Sequence, residues 1–185
     1  VFLFSKKGLG LVFIGPDGSG KTFLIDTIKK NCNSKVLYFG NYFFYFQRFY
    51  NLLLKIPTPF NRFIYLFYQL EKFFRFLRYY IYILRGYIVL IDRYPGTNRN
   101  ILHEGFKSKI NKLSFKAAPR WRIKFINLYA PPKIVYKRKQ ELNIKQITNY
   151  QNKLKELIEK EDTFLFNTQE TKEGLNYILK LIYNR

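Results

Sequence analysis

The chain has 185 residues, of which 48% are hydrophobic and 20% aromatic, enough apolar mass for one packed domain and too much for a globally disordered chain. A single cysteine, Cys32, excludes an internal disulfide framework and fits a reducing, cytoplasmic setting, and no apolar run reaches the ~18 residues of a membrane-spanning helix. Thirty-three Lys and Arg against 12 Asp and Glu give a net charge of +21, which attracts polyanions (nucleotides, nucleic acid or an anionic membrane surface) unless it only tracks the AT-rich codons of the abundant Lys, Asn, Ile, Phe and Tyr.

The first eleven residues are too short and too interrupted by Lys6, Lys7 and Gly8 for a secretory signal. Leu9–Ile14 (LGLVFI) is an apolar run ending at Gly15 and reads as a buried parallel strand. Lys21–Asn31 carries Phe23, Leu24, Thr27 and Ile28 at helical spacing, and 35–39 (KVLYF) is a second β-rich run; together they predict a βαβ unit. Residues 41–59 are aromatic and irregular and close on Pro57 and Pro59. Residues 60–85 run without Gly or Pro and are apolar over most of their circumference, which predicts a long, largely buried helix stopped by Gly86. Residues 87–91 (YIVLI) predict a central strand with Asp92 at its carboxyl end, and 94–121 is polar, basic and aperiodic. A fourth strand follows at 122–129, a helix from Lys133 to Leu142 opened by Pro131 and Pro132, a charged helix at 146–160, a last strand at 163–166 and a last amphipathic helix at 170–183. The alternation predicts an α/β fold: three layers, with a mostly parallel sheet flanked by helices, forming one domain over 1–185. The sequence holds no methionine, even at position 1, so a fragment or a trimmed product is expected.

Gly15-Pro16-Asp17-Gly18-Ser19-Gly20-Lys21-Thr22 fits G-x-x-x-x-G-K-[ST] at every fixed position, with the required strand before it and helix after it. Its glycines let backbone N–H groups turn inward around an oxyanion, and the positive end of the helix adds to the field. Lys21 is placed to reach the β- and γ-phosphates of ATP and the Thr22 hydroxyl to ligate Mg²⁺. A glycine-rich turn that only happens to contain Lys-Thr is the plainer reading, and the flanking elements weigh against it. The second element is Ile91-Asp92-Arg93-Tyr94. An acid at the end of a buried strand lies at the mouth of an α/β sheet, where Asp92 could hold Mg²⁺ through water or orient an attacking hydroxyl, and Arg93 could clamp a phosphate. The plainer reading is a surface Asp–Arg pair closing the strand.

With G-P-D-G-S-G-K-T and D-R-Y at 92–94, the chain resembles the thymidylate kinases, which belong to the P-loop nucleoside monophosphate kinases. Ala130–Glu141 (APPKIVYKRKQE) resembles the segment leading into that family's lid, and its wording is similar to that of thymidylate-kinase-like proteins associated with surface-polysaccharide gene sets. The resemblance runs from Leu9 to the C-terminus and implies a P-loop NTPase fold with an acceptor-binding helical region at about 41–86 and a lid at about 137–147. It implies that Gly15, Asp17, Gly18, Ser19, Gly20, Lys21 and Thr22 form the ATP-binding loop, with Asp17 facing the acceptor sugar and Mg²⁺ at Thr22 and Asp92. Lys21, Asp92, Arg93 and Arg138 are the implied catalytic residues, Arg138 as a lid arginine with Lys137 and Lys139 as rivals; a solvated basic helix face is the plainer reading of that cluster. The implied reaction is ATP-dependent phosphoryl transfer to a nucleoside monophosphate, dTMP first. Three departures leave the acceptor base unassigned: Ile14 where many members carry Glu, no Arg after the second strand until Arg48, and Pro95-Gly96-Thr97-Asn98-Arg99 where Ser and Gln base contacts usually follow D-R-Y.

His103, the sole histidine, reads as a polar loop residue, and Cys32 as a small buried side chain rather than a nucleophile. Trp121, between Arg120 and Arg122, either stacks a base or caps a core edge. No Cys/His metal set is present, so an oxygen-ligated Mg²⁺ is the metal expected. The aromatic and basic segments 42–50 and 60–85 could lie on an anionic membrane or stack single-stranded nucleic acid, but packing of the long helix on the sheet is favoured. Nucleotide substrates are the expected partners; a homodimer is allowed, and nucleic acid is not expected as a specific partner. A second function class, a nucleotide-dependent binding module tied to membrane or polysaccharide machinery with little turnover, stays open, and nucleic-acid processing ranks last.

Overall fold

A strand buried on both faces must be apolar at every position, and the first strand is. The computed structural model describes residues 8–40, 51, 61–95, 97, 118–158, 163–167 and 171–183; the readings made for Arg48, Gly96, Asn98, Arg99 and His103 lie outside them. In chain order come β1 (Leu9–Ile14), α1 (Lys21–Asn31), β2 (Ser34–Tyr38), α2 (Asn61–Leu84), β3 (Ile88–Asp92), a 3₁₀ turn (Ala118–Trp121), β4 (Ile123–Tyr129), α3 (Pro132–Arg138), α4 (Ile144–Ile158), β5 (Thr163–Asn167) and α5 (Thr171–Tyr183). The five strands form one all-parallel sheet in the order β2-β3-β1-β4-β5.

The side chains of β1 alternate between two core layers. Leu9, Leu11 and Phe13 meet Leu24, Ile25 and Ile28 of α1 and Ile178 and Ile182 of α5. Val12 and Ile14 meet Tyr79 and Ile83 of α2 and Tyr150 and Leu154 of α4 on the opposite face. This is the three-layer α/β arrangement expected.

Gly8, just before β1, and Gly10 within it set how close α2 comes. A Cβ on Gly8 would stand 2.4 Å from the Ile83 carbonyl oxygen, and one on Gly10 would stand 2.6 Å from the Tyr79 hydroxyl and 2.8 Å from its ring. The Tyr79 ring is fully buried and its hydroxyl donates to the Trp121 carbonyl at 2.6 Å, so it has nowhere to retreat. Gly10→Ala is therefore expected to lower stability by about 1–3 kcal/mol, read as a fall in the thermal midpoint; an unchanged midpoint would show that α2 shifts freely.

Several strand ends move by one residue from the sequence expectation, and two helix ends move further for local reasons. The first helix after Pro131 stops at Arg138 rather than Leu142, because Lys139 turns to an extended conformation (φ −153°). The next helix starts at Ile144 rather than Gln146. Asn143 Oδ1 accepts from the Gln146 N–H at 2.8 Å while Gln146 Oε1 accepts from the Asn143 N–H at 3.0 Å, a reciprocal cap. Gly86 ends α2 as expected: at φ +77° it lets its own N–H reach the Ile83 carbonyl and the Tyr87 N–H reach the Tyr82 carbonyl.

The burial expected for α2 is only half right. Glu71, Arg75, Tyr79 and Ile83 point inward, but Leu70, Phe73, Phe74, Leu77, Tyr80, Ile81 and Leu84 are exposed, since a sheet covers one side of a helix. Trp121 packs edge-on against Tyr80, ring centroids 5.8 Å apart, so it caps a core edge. Cys32 is a partly buried side chain packed on the core below α1. Among the described residues, no helix is long and apolar enough to cross a membrane.

Candidate active site

Parallel strands open all their carboxyl ends along one edge of the sheet. In register, Phe13 of β1 and Tyr38 of β2 both lie beside Asp92 of β3. The chain crosses over on either side of β1, which leaves a crevice above that strand. The loop Gly15–Thr22 fills its floor. Gly15, Gly18 and Gly20 all take positive φ, at +144°, +91° and +90°. Gly20 stands at the N-cap of α1 without any side-chain cap, so the first-turn N–H groups face the crevice undonated to a side chain.

Lys21 enters this floor from the first turn of α1 and is only 7% exposed. Its Nζ donates to the carbonyls of Gly15 at 2.9 Å and Pro16 at 2.8 Å, and lies 3.4 Å from Asp17 Oδ1. Burial lowers the pKa of this amine, against the opposing pull of Asp17 and Asp92. Arg93 Nη2 donates to the same Asp17 oxygen at 2.8 Å. Burial works against the Asp17 charge, but Lys21, Arg93 and Lys139 outweigh it and hold the carboxyl below its usual range. Arg93 sits in the left-handed region (φ +66°), with its N–H bonded to the Phe13 carbonyl and its guanidinium 5.9 Å from the centre of the Tyr38 ring. Burial disfavours the Arg93 charge; Asp17, Tyr38 and Asp92 more than offset it, so its pKa is raised.

Asp92 behaves differently from Asp17. Burial raises its pKa and Asp17 adds to the rise, with Lys21 and Arg93 opposing. Its Oδ1 is buried and has no hydrogen-bond partner among the described residues; Ser19 Oγ is in the same position. Thr22, beside Lys21 in the first turn of α1, is exposed. A buried orphan carboxylate oxygen, a free-facing hydroxyl and an uncapped helix start are donors that suit a hard cation together with a polyphosphate.

The C-terminal end of α3 closes on the loop from the other side. Arg138 Nη1 donates to the Gly18 carbonyl at 3.2 Å, and a Cβ on Gly18 would stand 3.3 Å from the Val135 carbonyl oxygen. All three cations at this helix end, Lys137, Arg138 and Lys139, are exposed; Arg138 touches the loop backbone, and Lys139 pairs with Glu141 at 2.7 Å and acts on the Asp17 charge. The structure thus brings together Asp17, Lys21, Asp92, Arg93 and Arg138. Sequence reasoning missed Tyr38, whose ring flanks Arg93; alignment of the parallel strand ends would have placed it beside Asp92.

No protein-family model and no curated protein matches this chain. Solved structures do. Thymidylate kinase from Candida albicans superposes with a TM-score of 0.60 at 15% identity, over 96% of this chain and 93% of that one. The Bacillus subtilis YorR protein, in complex with phosphorylated GDP, gives 0.59 at 15% identity over 94% and 95%. Deoxyadenosine kinase from M. mycoides with bound dATP gives 0.55 at 14% identity over 95% and 100%. The chain has the thymidylate-kinase-like P-loop kinase fold. Within this P-loop kinase fold, the order β2-β3-β1-β4-β5 puts the loop after β1 at the centre of the sheet's carboxyl edge.

Proposed function

We propose that this chain transfers the γ-phosphoryl group of ATP to a nucleoside monophosphate, with dTMP the first acceptor to test. The observation that carries the reading is convergence. Asp17 and Lys21 of the loop, Asp92 and Arg93 at the end of β3 and Arg138 at the end of α3 meet around one uncapped helix start, although they span 122 positions of sequence. The nucleotide-kinase fold supports the same reaction class.

The chemistry then follows from what each group holds. The first-turn N–H groups of α1 cradle a phosphate. Lys21 exchanges the carbonyls of Gly15 and Pro16 for phosphate oxygens, so its buried charge is met in both states. Arg93, held by Asp17, presents a planar guanidinium toward the acceptor phosphate, and Arg138 sets a further positive charge beside Gly18. Thr22 and Asp92 would hold Mg²⁺, which when bound draws charge from the phosphate oxygens. The attacking oxygen of a monophosphate is largely deprotonated near neutrality, so no general base is required and transfer rests on positioning and charge.

A coupled ADP-release assay over a panel of nucleoside monophosphates tests the reading. Magnesium-dependent release with one acceptor is expected, and release with none of them rejects it. Asp92→Asn separates function from stability. It keeps the shape while deleting a charge that burial disfavours, so the ligand-free thermal midpoint should hold or rise while turnover falls at least about a hundredfold. Turnover within a few-fold of the parent would remove Asp92 from the machinery.

A further inference from the structure

We infer that Tyr150 of α4 is a positioning residue for Arg93, so that a helix packed behind the crevice sets where the acceptor phosphate is held. The inference rests on the proposed reaction and deepens it. Arg93 takes φ +66°. A residue with a Cβ keeps that conformation only when the chain on both sides of it is fixed. On the near side β3 supplies the fixing, with the Arg93 N–H bonded to the Phe13 carbonyl at 3.3 Å. On the far side comes a turn that closes on the buried Thr97. The Thr97 N–H donates to the Tyr94 carbonyl at 3.1 Å, the Thr97 hydroxyl donates to the same carbonyl at 2.7 Å, and the hydroxyl oxygen accepts from the Tyr94 N–H at 3.2 Å. The Tyr94 ring is wedged against Phe39, Phe76 and Phe125.

The next link leaves the turn. The Thr97 carbonyl accepts from the Tyr150 hydroxyl, 53 positions along the chain, and Tyr150 is itself buried in the core layer that α2 and α4 share. The neighbouring residue of α4 reaches the other side of the crevice. Gln151 Nε2 donates to the Ala130 carbonyl at 2.7 Å, just past the end of β4. Ile147 packs there with Ala130 and with Val135 of α3, the helix that carries Arg138. One turn of α4 is thus bonded behind both Arg93 and Arg138 and holds the gap between them. A transfer that depends on placement is sensitive to that gap. Covering the sheet asks only for apolar contacts, such as Leu154 makes from the same helix; a buried phenol that donates to the loop behind the acceptor arginine adds a fixed direction to that cover.

Steady-state kinetics of Tyr150→Phe beside the parent, with the best acceptor of the panel, test the inference. Phenylalanine keeps the ring in the core and deletes the hydroxyl. The kcat/KM for the acceptor should fall about tenfold, while the KM for ATP stays within about twofold. A tyrosine with a structural role alone would give another pattern, a lower thermal midpoint with unchanged constants per folded molecule. Thr97→Val loosens the same turn from within and should give the same split between acceptor and ATP, which keeps the test decisive should Tyr150→Phe fold poorly. Thr97→Ser, which retains the hydroxyl, should stay near the parent. Parent turnover together with unchanged acceptor constants in the folded variants overturns the inference and leaves the proposed reaction standing. A parent that turns over no acceptor overturns both.

Discussion

Replacing Lys21 by alanine should lower kcat by about two to three orders of magnitude and leave the fold intact. Among the described residues, this amine is the one cation buried within the loop floor, 7% exposed, with two loop carbonyls and Asp17 around it. A charge placed there faces low dielectric and acts strongly on a transferring phosphoryl group. Stability should change little. Burial disfavours the Lys21 charge, so its removal relieves that penalty, and water in the crevice can satisfy the Gly15 and Pro16 carbonyls. Lys21→Arg should not restore turnover, because a planar guanidinium cannot occupy the pocket of a compact ammonium. Steady-state kinetics with the best acceptor, together with a melt of the same samples, decides the point; turnover within threefold of the parent would refute the assignment.

Arg75→Met should be the most destabilising single change described here, at about 3–5 kcal/mol. Arg75 is 5% exposed and Glu71 is fully buried; the guanidinium bonds Glu71 Oε1 from Nε and Nη2 at 3.0 Å each. The same group donates from Nη1 to the carbonyls of Tyr38 at 3.1 Å and Gly40 at 2.9 Å. Its loss deprives a buried carboxylate of its countercharge and the end of β2 of two donors at once. The double change Glu71→Leu with Arg75→Met should recover much of the loss, since replacing both members of a buried pair by apolar groups is often close to neutral. Calorimetry on the single and double variants gives the comparison. A single variant within 1 kcal/mol of the parent would contradict the expectation.

The strands and the loop were readable because their signals are local. The apolar run of β1, the glycine spacing after it and the helical pattern of Lys21–Asn31 each declare themselves within a dozen residues, and α1 has the predicted bounds. Asp92 and Arg93 were readable because a strand end near a phosphate loop has few places to lie in a parallel sheet. What escaped is long-range. Arg75 looked like one of several cations in an apolar helix, and only contact with carbonyls 35 and 37 positions away distinguishes it. Tyr38 has the same difficulty. The two-sidedness of α2 was hidden because an all-round apolar pattern does not say which side the sheet will take. The start of α4 is marked by the reciprocal Asn143–Gln146 cap rather than by the helical period, so periodicity alone places it two residues late.

The central place of β1 has a bearing on synthesis. Its two neighbours, β3 and β4, begin at Ile88 and Ile123, and β2 pairs only with β3. Among the described strands, a nascent chain therefore makes no strand-to-strand ladder until β3 is synthesised, and the buried β1 must wait through two crossovers before both its flanks are covered. During that interval Leu9–Ile14 and the aromatic α2 are the segments most in need of shielding, so chaperone dependence and slow, length-gated acquisition of protease resistance are the traits to anticipate in the ribosome-bound intermediate.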